Sequence, residues 1–305
     1  MRYFISSILK IIPVLFIISF IVFFLMRLTG DPVSLMLPET ATDQQREELR
    51  QSLGLNDPIY IQYFTYMADV FRGDFGESFR YNQPAINIVL ERLPASFTLA
   101  ISSMIIATLI AVPAGIYSAI KRNTFADLII TGSSVLGKAM PNFWLGIMLI
   151  LLFAVQLNIF PVSGSGTTAH LVLPSITLGT AIAAEMTRLI RSSMLEVLGS
   201  EYIRTARSKG LRETFVVNKH ALRNALIPVV TIMALQTATL IGGTLITETV
   251  FSWPGMGQLL VQAVNIRDMA VVQAATFIIA ILVILSNLTA DLTYRFLDPR
   301  IKYED

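Results

Sequence analysis

The chain has 305 residues, none of them cysteine and only two of them histidine. Without cysteine there are no disulfides, no thiolate zinc sites and no thiol catalysis, although the redox compartment stays open. Charge is equally sparse: Asp, Glu, Lys and Arg supply 14% of residues, where soluble proteins average about 25%. That deficit excludes an ordinary water-solvated surface. The net charge of +2 leaves no electrostatic footprint for nucleic acid. What fills the chain instead is apolar, with 54% hydrophobic residues and a mean hydropathy of +0.64. Residues 94–120 carry no charge until the loop that follows, a run long enough to cross a hydrocarbon layer about 30 Å thick. Membrane lipid is therefore the main solvent of this chain.

Six apolar segments, near 9–26, 95–120, 128–157, 171–190, 225–250 and 272–294, predict an all-α integral membrane protein with six transmembrane helices. Arg2 and Lys10 ahead of the first apolar stretch imitate a signal peptide. Arg27-Leu28-Thr29-Gly30-Asp31-Pro32 then follows without a small-x-small cleavage pattern, so the segment reads as a retained span. Short loops set the orientation, because excess Lys and Arg marks the cytoplasmic side. Residues 191–224 hold seven Lys or Arg against three Glu, Lys121-Arg122 occupy another loop of the same parity, and 158–170 hold none. Both termini and the 201–228 region are accordingly expected in the cytoplasm. The expected layout is an N-terminal span to residue 28, an extracytoplasmic insertion over 29–94, a five-helix core over 95–294 and a cytosolic tail over 295–305.

The insertion carries its own helix punctuation. Thr42-Asp43-Gln44-Gln45 fits a capping box, with Gly54 as a helix stop. Pro58 and Pro84 sit where first helical positions would be. The region reads as a small helical cap, either a solvated loop or a docking surface for an extracytoplasmic partner.

Within 194–228 the pattern turns from uniformly apolar to amphipathic. Leu195, Leu198 and Tyr202 fall on one face of a predicted helix, with Glu201, Arg204 and Lys209 turned outward. Gly210 should end that helix, and Leu211-Arg212-Glu213-Thr214 should begin a second one running through Val216 and His220. Two short helices meeting at a bend form a knob stiff enough to carry movement. The spacing of Glu201, Ala206, Gly210 and Ile227-Pro228 resembles the cytosolic coupling loop of permease subunits of ATP-binding-cassette importers, with Glu-Tyr-Ile standing where the eponymous pattern reads Glu-Ala-Ala. Gly30-Asp31-Pro32, Glu248 through Trp253-Pro254-Gly255-Met256-Gly257 and Asp298-Pro299-Arg300 extend the likeness along the whole chain. Together they resemble the peptide/nickel group of these permeases, whose solutes include dipeptides, oligopeptides, glutathione and nickel chelates.

The resemblance implies a type I importer fold in a bacterial inner membrane. It also implies a second homologous permease subunit, two cytosolic ATPase subunits that hold ATP and Mg, and an extracytoplasmic substrate-binding protein. It assigns ATPase coupling to Glu201, Tyr202, Thr205, Ala206, Lys209 and Gly210. The permease itself is then non-enzymatic and binds no cofactor. An ion-coupled secondary transporter is the rival reading.

Other chemistry finds little support. Gly132-Ser-Ser-Val-Leu-Gly137-Lys138-Ala139 imitates a phosphate-binding loop, but alanine stands where a magnesium-binding hydroxyl belongs and no strand feeds the segment. His170 and His220 fall on opposite sides of the predicted membrane, so metal capture is not expected. No Ser, His and acid group together on one side. Lys138 is the unusual residue, about 15 Å deep in its span at 1.5 Å per residue. A buried amine of this kind faces a cavity or a partner, so it either lines the solute path or pairs with Glu185. Glu185 and Arg188, a turn apart, read as a mutual pair. Pro141 and Asn142 are placed at a bend bordering the path, and Gly242-Gly243 at a close helix approach.

Overall fold

The computed structural model describes residues 2–28, Val33, 37–38 and 40–297. Gly30-Asp31-Pro32 and Asp298-Pro299-Arg300 lie outside the described residues. The chain separates into two compact units, Met1–Ser96 with Pro254–Ile284, and Phe97–Trp253 with Leu285–Asp305. Among the described residues, three helices are long and apolar enough to cross a membrane: Ala85–Ile120, Thr168–Leu198 and Met269–Ala290. Phe125–Ala139 and Asn142–Gln156 qualify jointly, yet they are bent by 104°. Within the first and fifth expected spans, the described residues include the apolar stretches Ile12–Leu25 and Ile227–Thr237.

In the first unit, α1 (Arg2–Leu28) is followed by α2 (Asp43–Ser52) and α3 (Ile59–Phe71). The capping box forms as expected, with Thr42 and Gln45 exchanging side-chain and backbone hydrogen bonds. Pro58 sits one residue earlier than expected, just outside α3. Pro84 likewise precedes its helix, within a small hairpin of β1 (Glu77–Ser78) and β2 (Gln83–Pro84). The start of α4 (Ala85–Ile120) packs in this unit on α13 (Met256–Ile266) and on the start of α14 (Met269–Leu297). Val89, Met256, Leu259, Val271 and Ala275 share that buried cluster. Buried Asp268 caps α14 by accepting from Val271 N at 3.4 Å and takes a second hydrogen bond from Ser78 Oγ, which satisfies an otherwise orphaned helix-start donor.

In the second unit, α5 (Phe125–Ala139), α6 (Asn142–Leu149) with the π-helical turns Ile150–Gln156, and α7 (Thr168–Leu198) pack together. Ser102 Oγ meets Ser175 Oγ at 2.7 Å, and the backbone of Gly115 lies against Ile190. Contacts between α4 and α7 therefore climb together in sequence, and the two helices run in the same direction. Helix α5 runs against them. Its Asp127 accepts two hydrogen bonds from Arg191 of α7, at 2.7 and 2.8 Å, one from Ser118 Oγ of α4, and one from Asn123 N at 2.9 Å. Three helices are thus tied at one end, the end that holds Lys121-Arg122 and the segment after Leu198.

The third expected span is not one straight helix. A residue before proline is pushed out of the helical region, and Met140 and Pro141 are both extended, with ψ of 128° and 135°. The fifth is likewise interrupted, between α11 (Ile227–Gly243) and α12 (Leu245–Val250), at Thr244. Gly242 and Gly243 close α11, and their side-chain environment lies outside the described residues.

Two substitutions test this packing. A Cβ on Gly115 would stand 2.7 Å from the Ile190 side chain and 2.9 Å from Thr187 O, whereas one on Gly132 meets nothing within 4 Å. Gly115→Ala should cost about 1–3 kcal/mol by overpacking, read as a lower unfolding temperature of the detergent-solubilised subunit, with Gly132→Ala near neutral. Arg191→Met strands a buried carboxylate and should cost about 3–5 kcal/mol. A wild-type melting temperature for Arg191→Met would show that the tie is not needed.

Candidate functional site

Helix α7 ends because Gly199 and Ser200 turn the chain. Ser200 is extended, with ψ of 153°, and its hydroxyl donates to Val197 O at 2.6 Å, a local bond that competes with helix continuation. A new helix, α8 (Glu201–Ser208), starts at once. Lys209 caps it and Gly210 follows at φ +75°, a conformation that costs a residue with a Cβ about 1–2 kcal/mol. The chain then re-enters helix through α9 (Glu213–Phe215), the π-helical turns Val216–Ala221 and α10 (Leu222–Ala225).

The face expected from sequence needs correction. Leu195 and Leu198 belong to α7, and the break at Gly199 takes Tyr202 out of their register. The buried residues of α8 are Ile203 and Ala206, one turn apart, and α8 packs on the Val216–Ala221 stretch. Tyr202 is 44% exposed, with its hydroxyl accepting from Asn224 Nδ2 at 2.7 Å. Ala206 is small because it is pressed inside the elbow. Gly210 has open space around its would-be Cβ, so its backbone angle, and not crowding, calls for glycine.

Across the bend, Arg207 grips Glu213 with two hydrogen bonds, Nε to Oε2 at 3.0 Å and a terminal nitrogen to Oε1 at 2.6 Å. The hydrogen-bonded guanidinium holds the Glu213 carboxyl below its usual range, and the same contact pushes Arg207 upward. Lys219 Nζ lies 4.9 Å from the centre of the Phe215 ring, and His220 meets the same ring edge-on at 5.5 Å. Glu201 pairs within its own helix, to Arg204 at 2.9 Å. Glu201, Tyr202, Thr205 and Lys209 are all exposed on a bend braced from within.

A second polar constellation lies at the α5–α6 break. Lys138 Nζ donates to Glu185 Oε2 at 2.7 Å, and Gln236 Nε2 reaches the same oxygen at 3.3 Å. The Glu185–Arg188 pair expected from sequence does not form among the described residues. Lys138 takes the carboxylate, and Arg188 is exposed. With Asn142 and Thr239, these three side chains line a cavity of about 190 Å³. Lys138 and Glu185 side chains remain 50% and 31% exposed. Gln236 is a member that sequence reasoning misses, since its only trace there is one amide in an apolar helix. Lys138 itself sits in the last turn of α5, so the phosphate-loop imitation is helical and cannot cradle a nucleotide.

The sequence pattern of the binding-protein-dependent transport system inner membrane component matches residues 111–303, and that of the N-terminal part of such membrane components matches 1–100. The glutathione transport system permease protein GsiC of Escherichia coli (strain K12) is 43% identical over 305 residues, covering 100% of both chains. The oligopeptide transport system permease protein AppB of Bacillus subtilis (strain 168) is 42% identical over 313 residues, covering 99% of each. Among solved structures, the inward-facing MetNI methionine ABC transporter matches with a TM-score of 0.56 at 18% identity, over 69% of this chain and 96% of that one. That likeness concerns the fold. The chain belongs to the family of inner-membrane permease components of binding-protein-dependent ABC importers, whose ATPase activity resides in separate subunits.

Proposed function

We propose that this permease forms half of a translocation pathway for a solute of the peptide class, completed by a second homologous permease subunit. Both termini and the elbow face the cytoplasm, where two ATPase subunits, carrying ATP and Mg, receive Glu201, Tyr202, Thr205 and Lys209. An extracytoplasmic binding protein delivers the solute. The observation that carries this reading is the elbow: a polar, exposed bend, braced by Arg207 and Glu213 and continuous in chain with α7. Family membership removes the ion-coupled carrier as a rival. The relatives' descriptions, glutathione and oligopeptide permeases, favour a peptide or glutathione over a nickel chelate.

Lys138, Pro141, Asn142 and Glu185 border the pathway in this reading. A half-exposed ion pair cannot face lipid, where a charged group costs about 2.5–3.5 kcal/mol on insertion scales. It must face water or protein. Pro141 contributes by holding the helices apart, which opens the polar pocket at mid-span.

Uptake into vesicles reconstituted with this subunit should require ATP, the partner permease, the ATPases and the binding protein together. Uptake without added ATPase would overturn the proposal. Arg207→Glu and Glu213→Arg should each reduce ATP-driven uptake less than about tenfold, since an exposed pair is worth about 0.2–1 kcal/mol. The double exchange should recover most of it. Because the Glu213 pKa is depressed in the folded elbow, the brace is fully present above the ordinary glutamate range and is lost as pH falls through the lowered value. Resistance of the bend to limited proteolysis should therefore fall on that acid side in the wild type and not in Glu213→Gln.

Lys138→Met should lower the maximal uptake rate while the subunit still assembles with its ATPases. Lys138→Met with Glu185→Gln separates two causes. Recovery in the double variant means the lost rate came from a stranded carboxylate, whereas continued loss places the lysine on the path. Unchanged kinetics in the single variant would remove Lys138 from it.

A further inference from the structure

Helix α3 is divided into three sectors. At about 100° per residue, Tyr63, Tyr66 and Val70 share one side, Gln62, Thr65 and Asp69 a second, and Tyr60, Phe64 and Phe71 the third. The first is packed: Tyr63 has Phe16, Phe20 and Phe23 of α1 around its ring at 5.3–5.7 Å, and Tyr66 stacks on Phe23 at 5.6 Å. The second lines a cavity of about 280 Å³ together with Asp57 and Asp74, a setting suited to water. The third is left open, with Tyr60 62%, Phe64 66% and Phe71 83% exposed.

Depth identifies what covers the third sector. In sequence, Lys10 and Arg27 flank the apolar stretch of α1 and mark its two interfaces. Tyr63 meets Ser19 Oγ at 3.0 Å and Phe16 O at 3.4 Å. Phe16 lies eleven residues before Arg27, about 16 Å along the helix axis. A tyrosine side chain spans only part of that distance. The backbone of α3 at Tyr63 therefore sits below the level of Arg27, beside the apolar stretch of α1. On α1, Phe16, Ile17, Phe20 and Ile21 are exposed apolar side chains as well.

We propose that α3 is an interfacial anchor: its Tyr60, Phe64 and Phe71 face rests in the headgroup and acyl-chain boundary of the outer leaflet, with Thr65 and Asp69 turned to water. Helices with one apolar and one polar face lie in this zone, buried about 5–10 Å, and aromatic side chains favour it. The insertion is then held by lipid as well as by protein contacts. This rests on α1 crossing the membrane, as the proposed topology requires.

The absence of cysteine makes the test direct. Single variants Phe64→Cys, Ile17→Cys and Gln44→Cys carry a nitroxide label, and the assembly is built with cysteine-free partners in phospholipid nanodiscs. Relaxation by oxygen, which concentrates in lipid, is compared with relaxation by a water-soluble paramagnetic chelate. The expected result is an oxygen-dominated signal at Phe64, as at the Ile17 control, and a chelate-dominated one at Gln44. Chelate dominance at Phe64 with oxygen dominance at Ile17 sinks the anchor and leaves the span intact. Exclusion of both reagents from Phe64 means that another protein covers this face, which also overturns the proposal. Chelate dominance at Ile17 removes the spanning α1 and the anchor together.

Discussion

A carboxylate inside a membrane protein has no bulk water to solvate it, so its neighbours must do so, and Asp127 shows what that demand builds. Its side chain is almost completely buried and takes hydrogen bonds from Arg191, Ser118 and Asn123. Those donors come from three different segments. Satisfying one anion therefore fixes the ends of α4, α5 and α7 relative to each other. A buried pair of this kind is weak evidence for net stability, since two charges had to be desolvated to form it. Its geometry is the more informative part: the fork of a guanidinium on a carboxylate admits little rotation. The elbow leaves from the same end of α7, only eight residues beyond Arg191 at Gly199, and so starts from a fixed base.

The same accounting explains where the helices break. Hydrocarbon tolerates non-helical backbone only beside protein or a wet cavity. The two extended residues Met140 and Pro141 lie next to the pocket of Lys138, Asn142, Glu185 and Gln236. The interruption and the polar cluster thus support each other. The open backbone needs polar surroundings, and the charged pair needs a place where lipid does not reach. The π-helical turns at Ile150–Gln156 and Val216–Ala221 are further departures from regular helix, and both fall in the unit that carries the pocket and the elbow.

Much of this is legible in the residues themselves. Apolar run lengths mark the helices, Thr42 and Gln45 announce a capped start, and Gly210 announces a stop. Lys138 and Glu185 can be matched from sequence because few other partners exist for a charge at that depth. Local signals fail where packing decides. Arg191 is 64 residues from Asp127, and nothing in either neighbourhood names the other. The amphipathic pattern joins Leu195, Leu198 and Tyr202 because periodicity runs on through a turn; the dipeptide Gly199-Ser200 is the available warning. Pro141 signals a bend, but its 104° depends on what α6 packs against. Gln236 joins the pocket through the path of α11, which no motif records.

The tie at Asp127 also constrains how motion can pass through the second unit. If α7 moved alone, the elbow would shift Glu185 against Lys138, since these sit on α7 and α5. The Asp127–Arg191 fork and the 2.7 Å Lys138–Glu185 contact join the same two helices at separate levels, so relative sliding would break both. The two helices are therefore held together at two levels. The looser link is Gln236 on α11, which reaches Glu185 at 3.3 Å through a single neutral donor. That bond is longer than the 2.7 Å Lys138–Glu185 contact and brings no second charge, and α11 ends at the Thr244 interruption. Among the described residues, the seam between α11 and the α5–α7 pair therefore carries fewer polar ties than the seam between α5 and α7. The pocket is lined from both sides of that seam, by Lys138 and Glu185 on one and Gln236 and Thr239 on the other.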